Sequence, residues 1–244
     1  MTQTQTEPKL YTFDEFIEWY PENSGKRYEL RNGIIFEMPK PTGTHSDVAG
    51  FIAGILFLEI LRRKLPYSIP KECVVKVENA SYEPDVIVID KNQVANKENR
   101  WQKESIITDA SSIPLIIEVV STAVASPCGD AARTSRETLS AVAHGGNPQD
   151  RAASPTRCLT NWSDDYALKL DDYEYLGIPE YWIVDYLALG GRKFIGNPKQ
   201  PTISVYQLID GEYQVTRFRS DDRIVSLTFP ELNLTVQQIF DAGL

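Results

Sequence analysis

A chain of 244 residues, 42% hydrophobic and 24% charged, has the make-up of a folded globular protein with room for a substantial core, which excludes general disorder. Three cysteines without a C-x-x-C pair and only two histidines exclude a disulfide framework, structural zinc and the HExxH pattern, leaving carboxylates, Lys, Ser and Tyr as polar catalysts. The net charge of −9 argues against a surface given over wholly to polyanions, although carboxylates that await a divalent cation let an acidic protein handle phosphate.

In chain order, MTQTQTEPKL lacks the basic start and apolar stretch of a secretory signal. No continuous run reaches the roughly 18–20 apolar residues of a membrane span, so a cytoplasmic protein with no membrane partner is expected. Thr12 with Glu15 three positions on is the spacing of a capping box and predicts a short helix over FDEFIEWY. In RYELRNGIIFEMP, two β-rich runs flank Asn32-Gly33, the strongest short hairpin signal, and predict strands near 27–31 and 34–38. From Thr44 to Lys64, Val48, Phe51, Ile52, Ile55, Leu56, Leu58, Ile60 and Leu61 recur at helical spacing, and Arg62-Arg63-Lys64 suits the negative end of a helix dipole.

Strands are expected near 67–77, 85–90 and 114–120; DVIVID and PLIIEVV are almost continuously apolar, as in strands covered on both faces. A helix over about 164–177 stops at Gly177, and a strand at 180–186 follows. Buried strand, helix and buried strand in that order read as a crossover with parallel strands. Two short strands around Asp210-Gly211 and a terminal helix complete a mixed α/β chain expected to form one domain over 1–244.

Residues 123–160 break this pattern, having no aromatic residue, no Ile and no Lys. Such a stretch cannot bury enough apolar area to order itself, and it reads as a poorly ordered insertion, with a helix near 131–143. An ordinary long surface loop is the alternative.

Three charged residues stand where the pattern invites scrutiny. Asp85 opens an apolar strand, and a charge there is commonly just solvated. Glu118 has Ile116 and Ile117 before it and Val119 and Val120 after it, so an unpaired carboxylate would cost several kcal/mol or shift its pKa sharply. A metal ion or an ammonium partner would make the position tolerable. Glu118 and Lys169 are 51 positions apart, 38 of them within 123–160; the 13 that remain are an ordinary strand-to-helix step. Asp165, Lys169 and Tyr173 then form one stripe of the following helix.

RYELRNG, YEPDVIVID, PLIIEVVST, DYALKLDDYEYLGIPEYWIVD, SVYQLIDGEYQV and FPELNL together resemble the putative restriction-endonuclease family of the PD-(D/E)XK nuclease superfamily. The resemblance implies a restriction-endonuclease-like core, a central mixed sheet flanked by helices. It assigns Asp85 and Glu118 as carboxylates that bind Mg²⁺ or Mn²⁺. The usual lysine two places after the glutamate is here Val120, and its role passes to Lys169 on the next helix. Glu29 of RYEL is implied as a further site residue, with an exposed glutamate paired to Arg27 or Arg31 as the alternative. For Asp165 and Tyr173, helix surface and core packing are preferred over a site role. For His45, a contact at the helix N-terminus is preferred over approach to substrate.

The resemblance implies a Mg²⁺-dependent endonuclease acting on DNA, and a homodimer. The competing expectation is a catalytically inactive nucleic-acid-binding relative, disabled by the segment 123–160. A carboxylate-pair glycosidase using Glu118 with Glu29 or Asp85 ranks below both.

Overall fold

A computed structural model describes residues 9–21, 25–78, 80–95, 106–107, 109–122, 126–127 and 164–244. The helix expected near 131–143, nearly all of 123–160, Trp101 and Trp162 lie outside the described residues. The elements in chain order are α1 (Phe13–Trp19), β1 (Arg27–Arg31), β2 (Ile34–Met38), α2 (Gly43–Arg63), β3 (Tyr67–Ser68), β4 (Val74–Lys76), β5 (Ser81–Tyr82), β6 (Val86–Asp90), α3 (Lys91–Ala95), β7 (Ile106–Ile107), β8 (Leu115–Val119), β9 (Ser126–Pro127), α4 (Lys169–Tyr175), β10 (Glu180–Asp185), α5 (Arg192–Ile195), β11 (Thr202–Ile209), β12 (Glu212–Phe218) and α6 (Val236–Asp241). A π-helical turn, Asp164–Leu168, leads directly into α4.

The chain divides into two compact units, one from Met1–Lys40, Glu78–Ser81 and Val124–Leu159, the other from Pro41–Val77, Tyr82–Ala123 and Thr160–Leu244. In the first unit the capping box holds as expected: Glu15 N donates to Thr12 Oγ1 at 3.2 Å and Thr12 N to Glu15 Oε2 at 2.9 Å. β1 and β2 pair antiparallel about Asn32 (φ 49°) and Gly33 (φ 77°), the left-handed pair that a two-residue hairpin turn requires. β9 adds to the free edge of β2.

The second unit is built on a sheet in the order β12-β11-β10-β8-β6-β3. β8 and β10 are parallel, as the crossover pattern predicts, and the other neighbours are antiparallel, so the sheet is mixed. Val48, Ile52, Leu56 and Ile60 of α2 recur every fourth position and are buried against Val86, Val88, Leu115, Ile117 and Trp182 together with Val236 and Ile239 of α6. Burying each such side chain is worth roughly 1.5–3 kcal/mol. On the opposite face the ring of Tyr173 in α4 meets Tyr181 of β10 edge-on at 5.0 Å. Trp182 of β10 is fully buried in this core.

Two expectations change. The strand expected over 67–77 is two short ones, because Pro70 offers no N–H and Glu72 takes a left-handed φ of 57°. The helix expected over 164–177 begins as a π turn and becomes α-helical only at Lys169. α2 has the length and composition of a membrane-crossing helix, although one of its faces packs in the core.

Candidate active site

In the second unit, β6 and β8 pair antiparallel with Val86 opposite Ile117 and Ile87 opposite Ile116. One further step of that ladder sets Asp85 opposite Glu118, and directly opposed residues on antiparallel strands point to one face. The order of the sequence therefore brings two carboxylates, 33 positions apart, to one end of one strand pair.

Glu118 is 3% exposed and Lys169 2%. Lys169 Nζ lies 2.9 Å from Glu118 Oε1 and 3.2 Å from Asp165 Oδ1, one turn back on its own helix. Tyr173 Oη, one turn on, donates to Glu118 Oε1 at 3.3 Å. The stripe read from the sequence thus faces the strand end. An ammonium partner accounts for Glu118 in its apolar strand, since an ion pair offsets much of the desolvation that a lone buried carboxylate would suffer. Asp165, within the π turn, is fully buried rather than on the helix surface and meets Lys169. Tyr173 is core-packed as expected, with its hydroxyl turned to the carboxylate. The Tyr82 ring lies 5.6 Å from the Lys169 ammonium, and Tyr82 Oη donates to Asp172 Oδ2 at 2.5 Å.

Asp85 is held from two sides. Val119 N donates to its Oδ2 at 2.8 Å, and His45 Nε2 lies 3.1 Å from the same oxygen and 3.0 Å from the Val119 carbonyl. Both neighbours of Nε2 are acceptors, so that nitrogen carries the hydrogen and donates to the pair. Burial pushes the Asp85 carboxyl up, but the His45 hydrogen bond and charge, the Val119 N–H and the Lys169 charge outweigh it and hold the group below its ordinary range. His45 is thus more than a helix-end contact. The available signal was its place on the buried row His45, Val48, Ile52, Leu56 of α2, where a polar residue calls for a partner.

Glu29 belongs to the first unit. It is buried, not exposed, and pairs with Arg31, whose Nη2 and Nε donate to Glu29 Oε2 at 2.7 and 3.1 Å. Among the described residues no group of three or more His, Cys, Asp and Glu side chains is placed to hold a metal. The oxygens at the strand end do suit a hard divalent cation that keeps most of its waters, since Mg²⁺ is commonly held by one or two carboxylates. Both hydrogen bonds to Asp85 fall on Oδ2, and the side chain is 14% exposed.

Two acids on adjoining strand ends and the lysine of α4 thus stand together on a mixed α/β sheet. The family described as "Putative restriction endonuclease", Uma2, matches residues 13–133 and 159–237, and the chain belongs to that family. The unmatched stretch between falls within 123–160. The chain is also similar in fold to a structure described as a putative nuclease belonging to DUF820 from Anabaena variabilis. The TM-score is 0.57 and the identity 17%, over 96% of this chain and 99% of that one. No curated protein matches the chain.

Proposed function

We propose that this chain is a metal-dependent endonuclease that hydrolyses phosphodiester bonds of DNA, with Asp85, Glu118 and Lys169 at the reacting centre. The observation that carries the reading is the 2.9 Å approach of Lys169 to Glu118 at the strand end that Asp85 opens. Asp85 and Glu118 would hold Mg²⁺ or Mn²⁺, which when bound neutralises phosphoryl charge and makes a water nucleophilic near neutral pH.

Lys169 offers hydrogens to a phosphate oxygen or to the attacking water, and its two carboxylate neighbours hold it at the strand end. Asp165 and Tyr173 position that pair from within the same helix. His45 and the Val119 N–H hold Asp85 ionised and in one orientation. No covalent intermediate is needed. The family supports the nuclease class, and the donor set supports a hard cation.

The test is plasmid nicking with Mg²⁺ or Mn²⁺ by the intact chain, by a chain lacking 123–160, and by Glu118→Ala in each, with Glu29→Gln probing the further role the resemblance implies. Cutting by the intact chain, lost with Glu118→Ala and on chelation, is expected. Cutting by the shortened chain alone would replace this reading with that of a relative disabled by its insertion. Cutting that survives Glu118→Ala would overturn the site.

A further inference from the structure

The register of the second unit's sheet carries one row of residues straight across its strands. Asp85 stands opposite Glu118, Glu118 beside Ile183, Ile183 opposite Ser204 and Ser204 opposite Arg217. Residues in register on neighbouring strands share a face, so Arg217 belongs to the face that carries both acids. The next row of that face holds Asp185 and Thr202, and Arg219 Nε donates to Thr202 Oγ1 at 3.0 Å. With neighbouring strands about 4.8 Å apart, β12 lies roughly 15 Å from β8.

α5 is held on this corner from two sides. Phe194 stacks on Tyr166 of the π turn before Lys169, with ring centroids 4.6 Å apart. From the sheet, Arg217 Nε donates to the Phe194 carbonyl at 2.6 Å and Arg219 Nη2 to the Ile195 carbonyl at 3.1 Å. α5 in turn carries the exposed Arg192 and Lys193. Among the described residues no carboxylate pairs with any of these four cations, in contrast to Arg62 and Arg63, which meet Glu59 and Glu231.

Charge is sorted along the same stretch. From Tyr186 to Ile209 the chain has three basic residues and no Asp or Glu, in a protein with 34 acidic residues and 25 Lys and Arg. Asp210 and Glu212 sit at the turn between β11 and β12, the end of that hairpin away from Arg217. Asp185 is buried and accepts from Leu189 N and Gly190 N. An open groove of about 580 Å³ adjoins the corner, lined by Thr44, next to His45, and by Tyr186, Gln200, Arg219 and Ser220.

We infer that this corner, Arg192 and Lys193 on α5 together with Arg217 and Arg219, holds the DNA backbone where it leaves the reacting centre. The inference rests on the nuclease reading for its partner and adds the surface that seats it. Phosphate contacts from such cations fix a duplex in place without reading its sequence. Each DNA strand carries one charge per about 3.4 Å of helix axis, so the distance from β8 to β12 reaches a phosphate about four nucleotides from the cleaved bond. In a chain of net charge −9, a local basic field selects the side from which a polyanion approaches.

The test is fluorescence anisotropy of a short labelled DNA duplex with the full chain in chelator, between about 50 and 200 mM salt, beside Arg192→Gln combined with Lys193→Gln. Lys64→Gln combined with Lys91→Gln, at exposed positions toward the far end of the same sheet, removes equal charge as a control. Expected for the first pair is a Kd about tenfold higher at low salt and a salt slope of log Kd shallower by about two, one per lost phosphate contact. The control should move both far less, and all three chains should melt at the same temperature. With Mg²⁺ present, the loss in nicking by the first pair should fall on KM rather than kcat. Equal shifts in the two pairs would mean general charge and overturn the inference, as would a natural chain that does not bind the duplex. Normal nicking with unchanged binding in the first pair overturns it and leaves the nuclease reading standing. Binding lost in that pair, by a chain that never nicks, supports it and counts against that reading.

Discussion

Lys169 Nζ and Glu118 Oε1 meet at 2.9 Å, with both side chains almost wholly enclosed and 51 positions of chain between them. Removing one partner of such a pair leaves a buried charge uncompensated, which typically costs about 3–5 kcal/mol, whereas removing both is often near neutral. Lys169→Met is therefore expected to lower stability by about that amount and to abolish nicking. Glu118→Gln combined with Lys169→Met should recover only part of the stability, because buried Asp165 also faces Lys169 at 3.2 Å, and none of the activity. Urea unfolding of the two single variants and the double checks the coupling.

That pair also shows what a single sequence can and cannot reveal. Asn32-Gly33, the apolar strands and the every-fourth row of α2 are local patterns, and the structure keeps each near its expected bounds. That Lys169 meets Glu118 agrees with the parallel crossover read from the sequence, whereas the roles given to Asp85, Glu118 and Lys169 came from the family resemblance. The row of α2 hinted that His45 is buried, but its partners were not legible, since they lie 40 and 74 positions away. The π turn before Lys169 was equally silent, because DDYAL reads as ordinary helix.

His45 holds Asp85 Oδ2 at 3.1 Å and contributes to keeping that carboxyl below its usual range. A depressed carboxyl stabilises the fold above its unfolded pKa, near 3.9, and loses that contribution as pH falls through the folded value. His45→Ala should let the Asp85 pKa rise toward normal. Acid unfolding would then begin at higher pH, and the acid limb of the nicking profile would move up with it. His45→Gln, whose amide can reach a similar place, should restore part of both. An unchanged acid limb in His45→Ala would count against a positioning role for the ring.

Gly190 is confined by its neighbours rather than by its backbone. A Cβ there would stand 2.9 Å from both Asp185 Oδ2 and Tyr166 Cε2 and 3.2 Å from Ile195. Asp185 accepts hydrogen bonds from Leu189 N at 2.9 Å and Gly190 N at 2.7 Å, while Tyr166 stacks on Phe194 with ring centroids 4.6 Å apart. Gly190→Ala must shift one of these, at a cost of about 1–3 kcal/mol. Tyr166 lies three residues before Lys169, so the same substitution should reduce nicking more than its stability loss implies. Comparing initial rates at a temperature where the variant stays folded checks this.

Asp172 tests the opposite sign of linkage. Burial raises its carboxyl pKa and the neighbouring Asp171 adds to the rise, against the lowering effect of the Tyr82 hydroxyl. A group that binds its proton more tightly when folded adds stability at low pH. That stability is lost as pH climbs from the unfolded pKa through the folded one. Asp172→Asn keeps an acceptor for Tyr82 and removes the ionisation, so its stability should vary less with pH just above 4 than that of the natural chain. At neutral pH the variant should be at least as stable, because no half-buried charge has to form. Urea midpoints taken across pH 4 to 7 decide the matter: a slope unchanged by the substitution would mean that Asp172 titrates in the fold as it does in the unfolded chain.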